Sequence, residues 1–128
     1  MNTRSTLALT LVAGLATLAT AQIGFQAPPL VLPTGTNPSG AAIGDFNGDG
    51  NPDIAVTVDG PDRVLTFLGD GIGNFSVGAT ILVGAGAGAG TIAAADFDGN
   101  GTVDLAVALQ NQSQVRVWFN NAGVWTAG

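Results

Sequence analysis

Apolar positions along the chain come in two patterns. Leu7 to Leu18 is a nearly unbroken apolar run of about a dozen residues, preceded by Arg4 and followed by Ala19-Thr20-Ala21. Beyond it the apolar residues fall into short runs rich in Val, Ile, Leu and Ala, separated by clusters of Gly, Pro, Asn and Asp. That alternation predicts β-strands joined by turns. The predicted strands are Gln26 to Leu32, Ala41 to Phe46, Asp53 to Val58 and Arg63 to Leu68, then Ser76 to Val83, Ile92 to Phe97, Asp104 to Leu109 and Gln114 to Phe119. The second and third of each set are apolar on both faces, which predicts inner strands covered on two sides. Arg63 to Leu68 and Gln114 to Phe119 mix polar and aromatic residues, as outer strands do.

The two sets are copies of one unit. Asp45 and Asp96 lie 51 residues apart, as do Asp53 and Asp104. At the same offset Gly35 matches Gly86, Phe46 matches Phe97, Ala55-Val56 match Ala106-Val107, Val64 matches Val115, and Phe67-Leu68 match Trp118-Phe119. One deletion later Gly73-Asn74-Phe75 aligns with Gly123-Val124-Trp125. Repeats at about residues 25–74 and 75–124 follow, with Gly24-Phe25 as the tail of an earlier unit. The fold class is all-β. Between the strands, Asp59-Gly60-Pro61-Asp62 is a turn by composition and Gly69 to Asn74 a hairpin tip. The Gly/Ala run Gly84 to Gly90 lacks the Lys-Ser/Thr of a phosphate loop and aligns with Pro33 to Ser39, so it reads as an inter-strand loop.

Each repeat has one stretch whose composition is chemical. Asp45-Phe-Asn-Gly-Asp-Gly-Asn-Pro-Asp53 and Asp96-Phe-Asp-Gly-Asn-Gly-Thr-Val-Asp104 both place oxygen-bearing side chains at positions 1, 3, 5 and 9, with glycines at 4 and 6. In a tightly curled loop, alternate residues point inward. Asp45, Asn47, Asp49 and Asp53, with the carbonyl of Asn51, can then converge on one point. So can Asp96, Asp98, Asn100 and Asp104, with the carbonyl of Thr102. An all-oxygen shell with three carboxylates suits a hard cation, and Ca²⁺ better than Mg²⁺. An EF-hand is excluded, because position 12 is Val56 or Val107 instead of Glu and strand-like sequence follows each loop. The plainer alternative is a pair of hairpin turns using Asn-Gly and Asp-Gly. A turn does not need three mutually repelling carboxylates, and the pattern occurs twice in one register.

Composition narrows the chemistry further. The chain of 128 residues has no Cys, His, Tyr or Lys, and all nine acidic residues are Asp, six of them in the two loops. Zinc, copper and haem sites and the common nucleophile–base pairs therefore lack their residues, and an enzyme is not expected. A net charge of −6 argues against nucleic acid and anionic membranes as partners. Residues 1–21 read as a signal peptide, with Arg4 as the positive region and Ala19-Thr20-Ala21 as the cleavage site. The apolar run is too short to span a bilayer. The mature chain, starting at Gln22, is expected to be secreted, in an extracellular or periplasmic compartment. Its stability must come from packing and bound ions, since no disulfide can form.

Taken together, Ala42-Ile-Gly-Asp45-Phe-Asn-Gly-Asp-Gly-Asn-Pro-Asp53-Ile-Ala-Val56, Val64-Leu-Thr-Phe-Leu-Gly-Asp-Gly71 and Gly73-Asn-Phe75, repeated from Ala95 to Val107, resemble the FG-GAP/VCBS repeat of integrin α-subunit-type β-propellers. The resemblance implies four-stranded antiparallel blades with a Ca²⁺ in the hairpin loop between the first two strands of each. It assigns the ligands to Asp45, Asn47, Asp49, Asn51 and Asp53, and to Asp96, Asp98, Asn100, Thr102 and Asp104, two calcium sites in all. Asn100 stands where Asp49 supplies an acid, and Asp98 where Asn47 does not, so each loop keeps three carboxylates. Two blades make an incomplete propeller and leave two broad sheet faces bare. A fragment of a longer propeller is preferred, because the chain stops just after Val124-Trp125, where a next repeat begins; a ring of several copies is the alternative. The expected function is a secreted, calcium-stabilised module for adhesion or for protein or glycan binding. The alternatives are a fragment of a propeller-type lectin or polysaccharide lyase, with Trp118 and Trp125 against sugar rings, and a surface-layer or filament unit.

Overall fold

Residues 28–128 are described by a computed structural model of the chain. The signal-peptide reading, Gly24-Phe25, and Gln26 and Ala27 of the first predicted strand lie outside the described residues. The chain divides into two compact units, Met1–Leu30 and Val31–Gly128. Of the first, Pro28, Pro29 and Leu30 are exposed and have no regular secondary structure.

The second unit holds two four-stranded sheets. The first is built from β1 (Pro38–Gly44), β2 (Asp53–Val58), β3 (Arg63–Gly69) and β4 (Phe75–Leu82). The second is built from β5 (Ala89–Ala95), β6 (Asp104–Leu109), β7 (Gln114–Asn121) and β8 (Val124–Ala127). Both are antiparallel meanders with strands in chain order, so every connection within a sheet is a short hairpin. A 3-10 turn at Gln110–Gln112, closed by Ser113 in the left-handed region at φ 51°, joins β6 to β7. Among the described residues no helix is long and apolar enough to cross a membrane.

Three strand expectations change. Residues 28–32 are not a strand, because no neighbour offers their backbone a ladder; the first strand starts at Pro38. The segment Phe75–Leu82, expected to open the second unit, pairs with Arg63–Gly69 through Gly69↔Phe75 to Arg63↔Leu82 and closes the first sheet. By the same rule Val124–Ala127, read as the beginning of a next repeat, pairs with β7 and closes the second. As a result β3 and β7 lie inside their sheets, with Val64, Leu65, Thr66 and Phe67 all buried; β4 and β8 form one edge, and β1 and β5, expected as inner strands, form the other because each has a ladder partner on one side alone within its sheet. The sheets close one strand later than the sequence repeat suggests.

Strand alternation sends one set of side chains into a core between the sheets. It is formed by Phe46, Ala55, Val64 and Ile81 from the first sheet, and by Leu105, Val107, Leu109 and Trp118 from the second. Val83, Ala87 and Ala89, on and after the connection between the sheets, pack into it as well. A fully buried Val, Leu or Phe contributes about 1.5–3 kcal/mol relative to exposure, so this cluster dominates the stability of the pair. A smaller cluster, Val56, Val58, Leu65 and Phe67 with Leu32, Ile54 and Phe75 against it, forms on the opposite face of the first sheet. The leading strands of the two sheets, β1 and β5, also meet. Ser39 Oγ of β1 donates to Ala89 O of β5 at 2.5 Å, and behind it Thr57 Oγ1 of β2 donates to Gly90 O of β5 at 2.6 Å.

Candidate metal centre

The two acidic loops are the β1–β2 and β5–β6 hairpins, at corresponding places on the two sheets. Their curl is made by the carboxylate at position 1. Asp45 Oδ1 accepts from the amides of Gly48 (2.7 Å) and Asp49 (3.2 Å), and Oδ2 from that of Gly50 (2.8 Å). Asp96 does the same with Gly99, Asn100 and Gly101, at the same three distances. The glycines at positions 4 and 6 take φ from 76° to 87°, a region that costs other residues free energy, and this lets the amides turn inward. These amides, that of Gly101 first and then those of Gly99 and Asn100, hold Asp96 below the usual carboxylate range. Asp49 is lowered as well, first by the Asn47 side chain and then by the Asn51 amide.

Position 9 closes the loop from below. Asp53 and Asp104 have no solvent exposure, and both oxygens of each are used. Asp53 takes the Phe46 amide on one oxygen and the Gly69 amide on the other, both at 2.8 Å. Asp104 takes those of Phe97 and Asn120, also at 2.8 Å. Each aspartate therefore staples its loop to the end of the third strand of its own sheet. Carboxylate oxygens have two lone pairs, so both remain able to bind a cation.

The loops differ at positions 3 and 5. In the second loop, ligand oxygens of Asp96, Asp98 and Asp104 lie within 4.8 Å of one another, and this is the one such group of three acids among the described residues. Position 5 turns elsewhere: Asn100 Oδ1 accepts from the Thr102 amide at 2.7 Å and from its hydroxyl. Its amide group donates to Asp98 Oδ2 (3.2 Å) and to the carbonyl of Asn120 (3.0 Å), which the Thr102 hydroxyl also contacts. In the first loop the acid sits at position 5. Asp49 Oδ1 takes the Asn51 amide at 2.8 Å, and Asn47 at position 3 donates its amide to Asp49 Oδ2 at 2.9 Å. Positions 1, 3 and 9 thus converge in the second loop, while in both loops position 5 accepts from the backbone amide of position 7. The second loop gathers three carboxylates because it carries its acid at position 3.

Sequence reading left three positions without a role. Asp62, in the β2–β3 turn at φ 46°, is buried and accepts the amides of Ala87, Gly88 and Ala89 at 3.0–3.1 Å. Those amides, Ala89's first, hold its carboxyl low against the opposing effect of burial. It thereby anchors the connection into the second sheet. Asn120 is fully buried and donates to Phe46 O at 2.8 Å and Val103 O at 3.2 Å, bridging the two loops across the core. Asp70 organises the β3–β4 hairpin, and its carboxyl is lowered first by the Asn74 side chain. In sequence Asp62 is an ordinary turn residue, and Asn120 aligns with Gly69; no local pattern marks either. Of the tryptophans, Trp118 is buried beneath Arg116, whose guanidinium lies 5.7 Å from its ring centre. Trp125 is half-buried, its ring at 62° to Phe46 with centroids 6.0 Å apart.

Residues 45–107, from the first acidic loop through the second and into β6, match the family model of the FG-GAP-like repeat. The chain carries an FG-GAP-like repeat. No curated protein and no solved structure matches it at a significant level. The FG-GAP match and the two meander sheets make this a β-propeller-type repeat module, and each of its sheets is one blade. The second FG-GAP loop has the donor set for a hard divalent ion: three carboxylates whose ligand oxygens lie within 4.8 Å of one another, two of them on exposed residues.

Proposed function

We propose that the chain is a secreted calcium-binding FG-GAP module for adhesion or for protein or glycan binding, in which calcium is structural. The observation that carries the metal assignment is the convergence of Asp96, Asp98 and Asp104. Carboxylates packed this closely repel one another unless a cation intervenes, and a flexible oxygen-only shell with several protein ligands suits Ca²⁺ better than Mg²⁺. Asp45, Asn47, Asp49, Asp53 and the Asn51 carbonyl would hold a second ion, with one charge fewer at the converging positions. The ion would neutralise the loop and lock the hairpin. The chain's own amides already engage these carboxylates, and this supports a holding role for the ion. Contact with a protein or glycan partner would fall to the exposed hairpin tips and the edge strands β4 and β8.

Calcium titration of the purified protein, processed at Ala21, tests the reading. Saturating Ca²⁺ is expected to raise the melting temperature, and excess chelator to reverse it; at a hundredfold excess over Kd one site adds about 2.7 kcal/mol. Asp98→Asn should weaken the tighter binding event at least tenfold, while Asn47→Asp should strengthen the weaker one. Equilibrium dialysis that finds no bound calcium at millimolar concentration refutes the assignment.

A further inference from the structure

The two acidic loops meet their own sheets differently. Asn100 and Thr102 of the second loop both reach the carbonyl of Asn120, which ties that loop to the end of β7. In the first loop Asp49 turns instead to the Asn51 amide and the Asn47 side chain. A cleft of about 340 Å³ lies there, between the loop and the β3–β4 hairpin, lined by Asp49, Asp70, Asn74 and Ser76. A second cleft, of about 270 Å³, adjoins it, sharing Asn47 and Leu68, and runs between the blades to Phe46 and Trp125. Part of its wall is bare backbone. β3 and β4 slip register between Leu65 and Phe67, so Gly78 and Ala79 together face Thr66, and a Cβ on Gly78 would run into Thr66 Oγ1.

We propose that the joined clefts form a binding groove for a neutral glycan, with one pyranose ring against Trp125 and the next reaching toward Asp70. It rests on the glycan-binding arm of the function proposed above and gives that arm a site. A sugar ring has an apolar face of C–H groups and a rim of hydroxyls. The groove is amphipathic in the same sense, with Phe46, Leu68 and Trp125 walling one end and carboxylates and amides the other. Asp70 already takes the amides of Ile72 and Asn74 and the Asn74 side chain, and Asp49 those of Asn51 and Asn47. Their charge is met by these donors, and what they still offer is acceptor capacity for hydroxyls. Asn47 keeps one amide hydrogen beyond the one it gives Asp49. Neither Arg63 nor Arg116 lines the groove, so an anionic sugar would meet Asp49 and Asp70 as like charges with nothing to balance it. Small-molecule sites run from about 300 to 1,000 Å³, so each cleft fits a single ring better than an element of a protein.

Titration of the processed protein with neutral oligosaccharides of glucose, mannose and N-acetylglucosamine tests the groove, with calcium present and its binding measured in parallel by dialysis. Trp118 is buried and Trp125 half-buried, so acrylamide quenching of indole fluorescence reports on Trp125, and a bound ring should shield it. Trp125→Ala should weaken binding about tenfold, the scale of one lost aromatic contact, whereas Trp125→Phe should keep most of it. Ser76→Arg, at an exposed position, sets a long cation beside Asp70 and should block the groove without touching the core. Circular dichroism and bound calcium should match the parent protein in that variant. Bound calcium with no binding of any of the three oligosaccharide series at millimolar concentration overturns the groove and leaves the calcium module standing. Binding that survives both Trp125→Ala and Ser76→Arg overturns it too, as does a sulfated glycan or a basic peptide that binds in place of the neutral sugars. Failure of the calcium assignment shows separately, in the dialysis.

Discussion

Asp104 shows how one side chain can serve fold and site together. It is fully buried, it fixes the Phe97 and Asn120 amides, and it contributes to the carboxylate cluster. Asp104→Ala leaves two backbone amides without partners, at about 1–3 kcal/mol for each buried unsatisfied group. Chemical denaturation without calcium should show this loss, whereas Asp98→Ala should cost far less there, because Asp98 is exposed and staples nothing to the third strand. Asp62 makes a pH-dependent contribution. Its carboxyl is held low by the Ala89 amide and its neighbours, so the stabilisation is complete above the ordinary aspartate value of about 3.9 and disappears as the pH falls through the lower folded value. Asp62→Asn should lower the melting temperature at neutral pH, and its deficit should shrink on that acid limb. Thermal melts of both proteins from pH 7 to below pH 3 check this.

At the level of elements, the hairpins were the legible part. Asp53–Val58 and Asp104–Leu109 begin and end where their sequence pattern says, because an apolar run between an Asp and a turn has one way to lie in a sheet. The outer strands were harder to read. Phe75–Leu82 is an edge strand with an irregular exposure pattern, and which sheet it joins depends on its partner and not on its own residues. Gly69 marks the point where β3 ends beneath the first loop. A Cβ there would run into the Pro52 carbonyl oxygen, so the hairpin and the loop could no longer touch. Gly69→Ala is expected to cost about 1–3 kcal/mol through this overpacking, measurable by urea denaturation.

For the whole molecule, the join between the blades is decisive, and Asn120 is its polar component. Removing it as Asn120→Ala strands the buried Phe46 carbonyl and should cost about 1–3 kcal/mol. Asn120→Asp should be no better at neutral pH, since a carboxylate there faces the carbonyl oxygens of Phe46 and Val103. Denaturant unfolding of the two variants separates a lost hydrogen bond from a lost shape. Leu105→Ala, in the apolar part of the same join, should cost about 2–5 kcal/mol.

The residues alone determined the repeat, the all-β class, the two acidic loops and the strands that leave them, because each is set by local spacing and by the chemistry of a few side chains. Only tertiary structure decided where each sheet closes and that Asp62 and Asn120 hold the blades together. Those features depend on which amides and carbonyls are brought within hydrogen-bond reach from far along the chain, as Asn120 and Phe46 are across 74 residues. Val64, covered, and its repeat equivalent Val115, exposed, make the same point, since burial belongs to the neighbour and not to the residue.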